Sequence, residues 1–193
     1  MRKDKIKHII ETTIRLIQEK GSNPREITVR EICKEAGIGI GEINYYFQSK
    51  ENLIEQCVQQ IIGTVIANFG KVISPYPVTS PVEKLKYAAN ATVSFLYSNE
   101  NISRISMLTD LTNGKPGDNT EQTVTAFLPL IEEACREKGI MCDSKRISMT
   151  LIMVLQGIFL RTELIKTELN VDMRNPDERK KFIDSLVDQL LNC

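Results

Sequence analysis

Apolar residues recur at helical spacing along most of the chain. Near the N-terminus they follow one another three or four positions apart, at Ile6, Ile9, Ile10, Ile14 and Ile17. This spacing places them on one face of a helix, whereas the strict alternation that is typical of strands is nearly absent. The pattern therefore predicts an all-α protein.

Capping residues divide the first part of this pattern into short helices. Thr28 stands three residues before Glu31, which is the spacing of a capping box, and Gly37 has the position of a glycine that ends a helix. A third short helix is predicted over about 39–46. Ser49 can cap a longer fourth helix that extends to about residue 70.

The second half of the chain follows a proline-rich segment, residues 74–81, where we expect a flexible edge between two domains. Ser80 and Pro81 reopen the helical pattern as a cap and a first helical residue. Further helices are predicted over about 102–111, 118–138 with a kink at Pro129, 144–169 and 176–192. The pattern predicts about nine helices, with a first domain over 1–50, a linking helix over 50–70 and a second domain over 71–193.

Composition places the chain among globular proteins. Of its 193 residues 26% are charged and 41% are apolar, which excludes disordered and fibrous classes. The longest nearly continuous apolar run, Met149 to Leu160, is shorter than the ~20 residues of a membrane span. Because no apolar segment of signal-peptide length opens the chain, we expect a cytoplasmic protein without membrane contact.

Cysteine and histidine usage argues against metal sites and against most catalytic arrangements. Five cysteines without C-x-x-C spacing and a single histidine, His8, favour neither a zinc site nor a disulfide framework, and no cofactor is indicated. Cys135 and Cys142 are left unpaired in this interpretation because Gly139 breaks the helix between them. Cys33 and Cys57 are expected to be small core residues.

Residues 28–50 have the order of a helix-turn-helix, in which a short helix, a glycine turn and a second short helix follow one another. If Ile43 points into the core, Phe47 lies on the same side, and Gly41 and Tyr45 point outward. Such a face suits a groove of base edges. Residues 1–50 carry 10 Lys/Arg and 7 Asp/Glu, an excess of +3 that hints at an anionic partner.

This segment resembles the N-terminal signature of the TetR family of transcriptional regulators, approximately T-V-x-x-I-A-x-x-A-G-V-S-x-G-T-L-Y-x-Y-F-x-S-K-E-x-L. The matching residues are Thr28, Val29, Ile32, Ala36, Gly37, Gly41, Tyr46, Phe47, Ser49, Lys50, Glu51 and Leu53. The resemblance implies a three-helix DNA-binding domain followed by a helical domain for effector binding and dimerisation. It implies a repressor, not an enzyme, that a small apolar or amphipathic effector releases from a palindromic double-stranded operator.

The resemblance also assigns roles in DNA binding. Bases are expected to face Arg30, Ile40, Gly41, Glu42 and Tyr45, and the phosphate backbone is expected to be held by Thr28, Tyr46 and Lys50. Three departures from the signature matter most: Gly39 replaces a serine cap, Cys33 a core alanine and Asn44 a tyrosine. We expect Asn44 to bond a phosphate or an adenine edge, and Glu42 to accept a hydrogen bond from cytosine N4.

The apolar faces of the last two predicted helices indicate a homodimer, since family members pair these helices as a four-helix bundle. The predicted interface residues are Leu151, Leu155, Ile158, Phe182, Leu186, Val187 and Leu190. An effector cavity could be lined by Phe95, Tyr97, Met107, Phe127, Met153 and Phe159, although each alone is more often a core residue. A DNA-binding architectural protein without effector is the alternative, which a cavity too small for a ligand would favour. An enzyme that uses carboxylates alone lacks a supporting motif.

Overall fold

The structure, a computed structural model, describes residues 2–20, 23–73 and 80–192. These residues form 11 α-helices and one 3-10 turn and contain no strand, so the predicted all-α class is confirmed. Gly21 and Ser22 of the first predicted turn, residues 74–79 of the predicted flexible edge, and Cys193 lie outside the described residues.

The helices begin and end close to the capping residues. They are α1 (Arg2–Lys20), α2 (Val29–Ala36), α3 (Ile40–Phe47), α4 (Lys50–Ala67), α5 (Phe69–Ile73), α6 (Pro81–Ser98), α7 (Glu100–Asn113), α8 (Asn119–Lys138), α9 (Ser144–Leu160), α10 (Thr162–Leu169) and α11 (Pro176–Leu190). Side chains at the helix starts accept from backbone N–H groups two or three residues on, as the sequence predicts for Thr28, Ser80, Asp118 and Asn175. Helix α8 continues through Pro129.

Two compact units share these helices. The first contains the chain up to Val65 together with Asn101–Gly114, so α7 belongs with the N-terminal helices. Its buried apolar residues include Ile9, Ile17, Ile32, Ile43, Phe47, Leu53 and Ile54. The predicted division at residues 50–70 into domains with separate functions stays a prediction.

The second unit contains Ile66–Glu100 and the chain from Lys115 onward. Its core consists mainly of residues from α6, α8, α9 and α11. The Phe69 ring of the short helix α5 stacks on the Phe127 ring, with ring centroids 5.1 Å apart. The buried apolar residues include Leu85, Ala89, Val93, Phe127, Ile131, Leu151, Leu155, Ile158, Ile183 and Val187. The apolar stripes predicted for these helices thus face one shared core.

Two of the predicted helices are each divided in two, which accounts for 11 helices where about nine were predicted. The predicted helix 144–169 bends by 91° between α9 and α10. At the bend the buried Thr162 hydroxyl donates to the Phe159 carbonyl, 2.9 Å away, and its oxygen lies 2.8 Å from the Tyr97 hydroxyl. A side chain that bonds the helix backbone and a distant residue competes with continuation of the helix.

Cys135 and Cys142 form a disulfide, so the expectation that they stay unpaired is wrong. Gly139 does end α8, as predicted, but its left-handed conformation (φ 66°) folds the chain back. The Ile140 N–H then donates to the Cys135 carbonyl at 3.1 Å, and the Cα atoms of the two cysteines are 6.4 Å apart. The helix break therefore brings the two thiols together, where the sequence interpretation took it to separate them.

No single helix in the described ranges is long and apolar enough to cross a membrane. Taken together, α9 and α10 meet a criterion of length and composition, but they form the bent pair described above.

Candidate nucleic-acid interface

The turn between α2 and α3 is fixed by hydrogen bonds that the sequence predicts. The Thr28 hydroxyl accepts from the Glu31 N–H at 3.2 Å, and the Glu31 carboxylate accepts from the Thr28 N–H at 2.8 Å, which completes the capping box. At the other end of α2, Gly37 adopts the left-handed conformation with φ 64°. This conformation favours glycine, so the residue fits the sharp turn into α3.

Helix α3 has the orientation that the sequence predicts. Ile43 and Phe47 are buried, whereas 54% of Ile40 and 68% of Tyr45 are exposed. Gly41 and Asn44 are exposed on the same outer side. A methyl group built at Gly41 meets no atom within 4 Å, so this part of the face is flat and open. An exposed isoleucine, glycine and tyrosine in a row form a surface that is better suited to a partner than to water.

Glu42 has partners within the protein that the sequence interpretation did not foresee. One carboxylate oxygen accepts from the Gly39 N–H at 3.1 Å, which caps α3, and the other forms an ion pair with Lys5 of α1. The Lys5 ammonium and, to a lesser extent, the Gly39 N–H hold the pKa of Glu42 below its usual range. Both carboxylate oxygens of Glu42 therefore have partners within the protein, and the residue connects α3 with α1.

The residues predicted to hold phosphates lie at the edges of this face. Thr28 is exposed just before α2, and Arg30, which was predicted to face a base, is exposed in the first turn of this helix. The Lys50 ammonium donates to the Arg25 carbonyl at 2.7 Å and lies 3.7 Å from the Glu51 carboxylate, and it has three N–H donors in all. The half-buried Tyr46 ring packs edge-on against Tyr45, with centroids 4.9 Å apart.

Helix α1 adds two cations that were not singled out in the sequence. The Arg2 guanidinium lies 5.7 Å from the centroid of the Tyr45 ring, and Lys5 pairs with Glu42. Their spacing of three residues places them on one side of α1. The positive charge excess of the first 50 residues was a general signal for such groups, but it did not identify them.

The cysteines of the first unit are core residues. Cys33 and Cys57 are buried free thiols. Burial raises the pKa of both, that of Cys57 to about 12. Thiols held in the protonated form are poor nucleophiles. Within the part of the chain that the structure describes, no cluster of three or more His, Cys, Asp or Glu side chains could hold a metal ion.

The residues predicted for the dimer interface divide into two groups. Leu151, Leu155, Ile158 and Val187 are buried in the core of their own chain, so they have no surface left for a second subunit. This part of the prediction is corrected: the apolar stripe faces inward. The other group packs partly against the same core and keeps an exposed part: Phe182, Leu186 and Leu190.

The residues predicted to line an effector cavity do not share one environment. Phe127 and Phe159 are fully buried, and Phe159 packs edge-on against Tyr97 with centroids 5.3 Å apart. Met153, by contrast, is 42% exposed on the outer side of α9, and Met107 is a buried residue of the first unit. Phe95 is half-buried on α6.

In the unit of helices α1, α2 and α3, a glycine turn joins α2 to α3, and the exposed face of α3 carries an aromatic ring with cations beside it. This arrangement is typical of the class of helix-turn-helix DNA-binding proteins. Residues 9–57 match the sequence profile of the bacterial regulatory proteins of the tetR family. The N-terminal part of the chain is therefore a regulatory domain of the tetR family type. No match was found among curated protein sequences.

Solved structures of similar fold cover nearly the whole chain. Salmonella enterica GusR has a TM-score of 0.59 and 16% identity, over 98% of this chain and 96% of its own. A TetR/AcrR family regulator from Thermobifida fusca has a TM-score of 0.57 and 22% identity, over 98% and 97%. FadR from Bacillus subtilis, solved in complex with stearoyl-CoA, has a TM-score of 0.53 and 17% identity, over 96% and 95%. At these identities the likeness concerns the fold.

Proposed function

We propose that this protein is a homodimeric repressor that works in the cytoplasm and reads a palindromic operator with α3. The observation that carries the proposal is the outer face of α3. Ile40 and Tyr45 are exposed on this face, whereas Ile43 on the opposite face is fully buried. Exposure of a large aliphatic and a large aromatic side chain to water costs free energy. Contact with base edges and thymine methyl groups would bury this apolar surface. The protein has no catalytic role in this proposal.

The contacts divide into reading and positioning. Ile40, Gly41, Asn44 and Tyr45 face the bases, because they are the exposed residues of α3. Thr28, Tyr46 and Lys50 bind phosphates, which fixes the orientation of the helix without reading sequence, and Arg30 of α2 remains a candidate for contact with a base. Glu42 joins neither group in this proposal. It caps α3 and holds it against α1 through Lys5, so it acts by positioning.

The dimer forms through the outer sides of α9 and α11. Met149 and Met153 are 40% and 42% exposed, and they lie one turn apart on α9 with the exposed Gly157 one turn further. On α11, Phe182, Leu186 and Leu190 also keep exposed parts. Methionines adapt their shape to a partner, and a glycine allows two helices to approach closely.

The second unit binds a small apolar or amphipathic effector that lowers operator affinity. Its core residues Phe127 and Phe159, with the half-buried Phe95 and Tyr97, supply aromatic surface for such a molecule. The stearoyl-CoA complex of B. subtilis FadR, a protein of the same fold, supports an amphipathic ligand for this one. The effector must bind the DNA-incompetent arrangement more tightly, since equal affinity for both states shifts nothing.

The division between reading and positioning is tested by titration. A duplex selected from a random library with the wild-type protein and a scrambled duplex of the same composition are compared at two salt concentrations. Tyr45→Ala should lose affinity for the selected duplex and little for the scrambled one. Lys50→Ala should weaken both alike and reduce the log–log salt slope by about one, because one phosphate contact is lost.

Two outcomes would contradict the proposal. If the wild type shows no preference for any selected sequence, the protein is a non-specific DNA-binding protein, and the architectural alternative replaces the repressor. If Tyr45→Ala weakens both duplexes equally, α3 does not lie in the groove as proposed. Lys181→Gln, an equal change of charge on an exposed residue of α11, serves as the control variant.

A further inference from the structure

A cation in the second unit lacks a carboxylate partner. Arg179 of α11 donates to the Met173 carbonyl at 3.1 Å and to the Ser94 hydroxyl at 3.3 Å. Its guanidinium lies 5.3 Å from the centroid of the Tyr97 ring. In the described part of the chain no acidic side chain contacts it. A guanidinium carries five N–H donors, so donors remain for a further acceptor.

Two acids near Arg179 in the sequence have other partners. Asp172 pairs with Lys166 at 2.7 Å, and Glu178 accepts from the Asp172 N–H at 2.8 Å. A second arginine, Arg174, also lies beside the Tyr97 ring, at 5.8 Å, but a bidentate pair with Glu100 neutralises it. The positive charge of Arg179 is therefore the one left without an acidic contact at this ring.

The surroundings of Arg179 hold it in place and supply a second donor. The Tyr97 hydroxyl is fixed by Thr162 at 2.8 Å, and burial raises the pKa of this phenol although the hydrogen bond with Thr162 and, to a lesser extent, the two arginines oppose the effect. The ring is thus a neutral, fixed surface on which the half-buried guanidinium stacks. Ser94 accepts from Arg179 through its oxygen, so its own proton is available for an acceptor.

We propose that Arg179 and Ser94 form an anion-binding site that takes the carboxylate or phosphate head of an amphipathic effector, with Tyr97 as its fixed wall. The planar N–H groups of arginine match the geometry of both oxyanions, and a charge-assisted bond is about twice as strong as a neutral one. The site rests on the proposed effector function of the second unit and specifies its ligand: an acid or a phosphate ester with an apolar tail, as opposed to an uncharged apolar compound.

The test compares three compounds with the same tail and different heads: decanoate, decyl phosphate and decanol. Inorganic phosphate is the fourth probe and reports the head alone. Calorimetric titration of the full-length protein should show tighter binding of decanoate, decyl phosphate or both than of decanol. Preference between the first two tells which oxyanion the site takes.

The variants address the two donors separately. Arg179→Gln should weaken binding of the preferred anion by about tenfold or more, and Ser94→Ala by a smaller factor, since one neutral donor is lost. Arg179→Lys keeps the charge and should recover only part of the affinity. Lys181→Gln removes an equal charge from the same helix and should leave affinity unchanged. Decanol should bind all of these variants alike.

Several results would overturn the site. They are equal wild-type affinity for decanol and both anions, an equal loss in Lys181→Gln, or no binding of any of the four probes. If an anion binds through Arg179 but does not release the selected duplex, the site stands and the proposed ligand response fails. If decanol binds and releases the duplex as well as the anions do, the ligand response stands and the anion site fails.

Discussion

The disulfide between Cys135 and Cys142 allows a quantitative prediction for the second unit. It closes a loop whose ends are 7 residues apart, between the last turn of α8 and the segment before α9. In the chain-entropy treatment a loop of this size restricts the unfolded chain by about 2.4 kcal/mol at 25 °C. Reduction changes no side-chain volume in the folded protein, so its main effect is on the unfolded chain. It should therefore lower the free energy of unfolding by about this amount.

The measurement is urea unfolding followed by far-UV circular dichroism, with and without a phosphine reductant, at one fixed protein concentration. Fixed concentration is needed because a dimer is stabilised by mass action. With a slope of roughly 2 kcal/mol per molar urea, the unfolding midpoint should fall by about 1 M on reduction. Cys142→Ala should unfold at the midpoint of the reduced wild type and should not respond to the reductant. The thiols Cys33 and Cys57 are buried in the first unit and remain thiols in both states.

Two findings would refute this reasoning. Mass spectrometry of unreduced peptides could show Cys135 and Cys142 of the purified protein as thiols. Alternatively, oxidised and reduced protein could unfold at the same urea concentration, which would mean that the loop is equally restricted without the bond. Gly139→Ala provides an independent check, since it strains the left-handed turn (φ 66°) that brings the cysteines together and should destabilise by about 1 kcal/mol.

Four further predictions concern dimerisation, the cap of α3 and DNA binding. Met153→Glu should dissociate the dimer in sedimentation at micromolar concentration while the helix content is kept, whereas the same change at exposed Thr125 of α8 should have no effect; an intact Met153→Glu dimer would exclude this face. Glu42→Gln should leave base preference unchanged at every position of the selected duplex, and a loss of preference at one G·C pair would restore Glu42 as a base-reading residue. Because the folded-state pKa of Glu42 is lowered, its cap and ion pair are complete at neutral pH and are lost as the pH falls through that lowered pKa. Amide exchange in α3 should therefore become faster on acidification of the wild type through this loss, and Glu42→Gln should show no such change. Gly41→Ala should raise thermal stability slightly, since a methyl group there meets no atom and alanine favours helix, yet it should weaken binding to the selected duplex; equal affinity would place Gly41 away from the bases.

The features that could be predicted from the sequence depend on neighbours within one turn of chain. The caps at Thr28, Ser80 and Asp118 are hydrogen bonds to backbone groups two or three residues away, so residue type and spacing suffice to identify them. The orientation of α3 likewise follows from its own period, with Ile43 inward and Tyr45 outward. These signals identified the helix-turn-helix segment, and the tetR family profile covers it.

Features that depend on distant residues could not be predicted in this way. Glu42 was interpreted as a base-reading residue because the pattern of α3 alone places it near the groove, and only the fold brings Lys5 to its carboxylate. At the break between α9 and α10, Thr162 contacts Tyr97 of α6, which is 65 residues away in the sequence. One missed signal was local: Gly39 and Glu42 have capping-box spacing, in which the glutamate half functions without a serine.

The second unit shows why an apolar stripe does not by itself identify an interface. Helix α9 is apolar on nearly all sides. The spacing of its apolar residues therefore indicates two opposite apolar faces, but it does not tell which of them a partner covers. The residue types separate the faces: Leu151, Leu155 and Ile158, which have well-defined rotamers, fill the core of the chain, whereas the unbranched Met149 and Met153 remain exposed. A core fixed within one chain requires a single close packing, while a surface that meets a second subunit gains from side chains that adapt to it. For this reason the proposed interface is the methionine face of α9, although the leucine face is the more hydrophobic of the two.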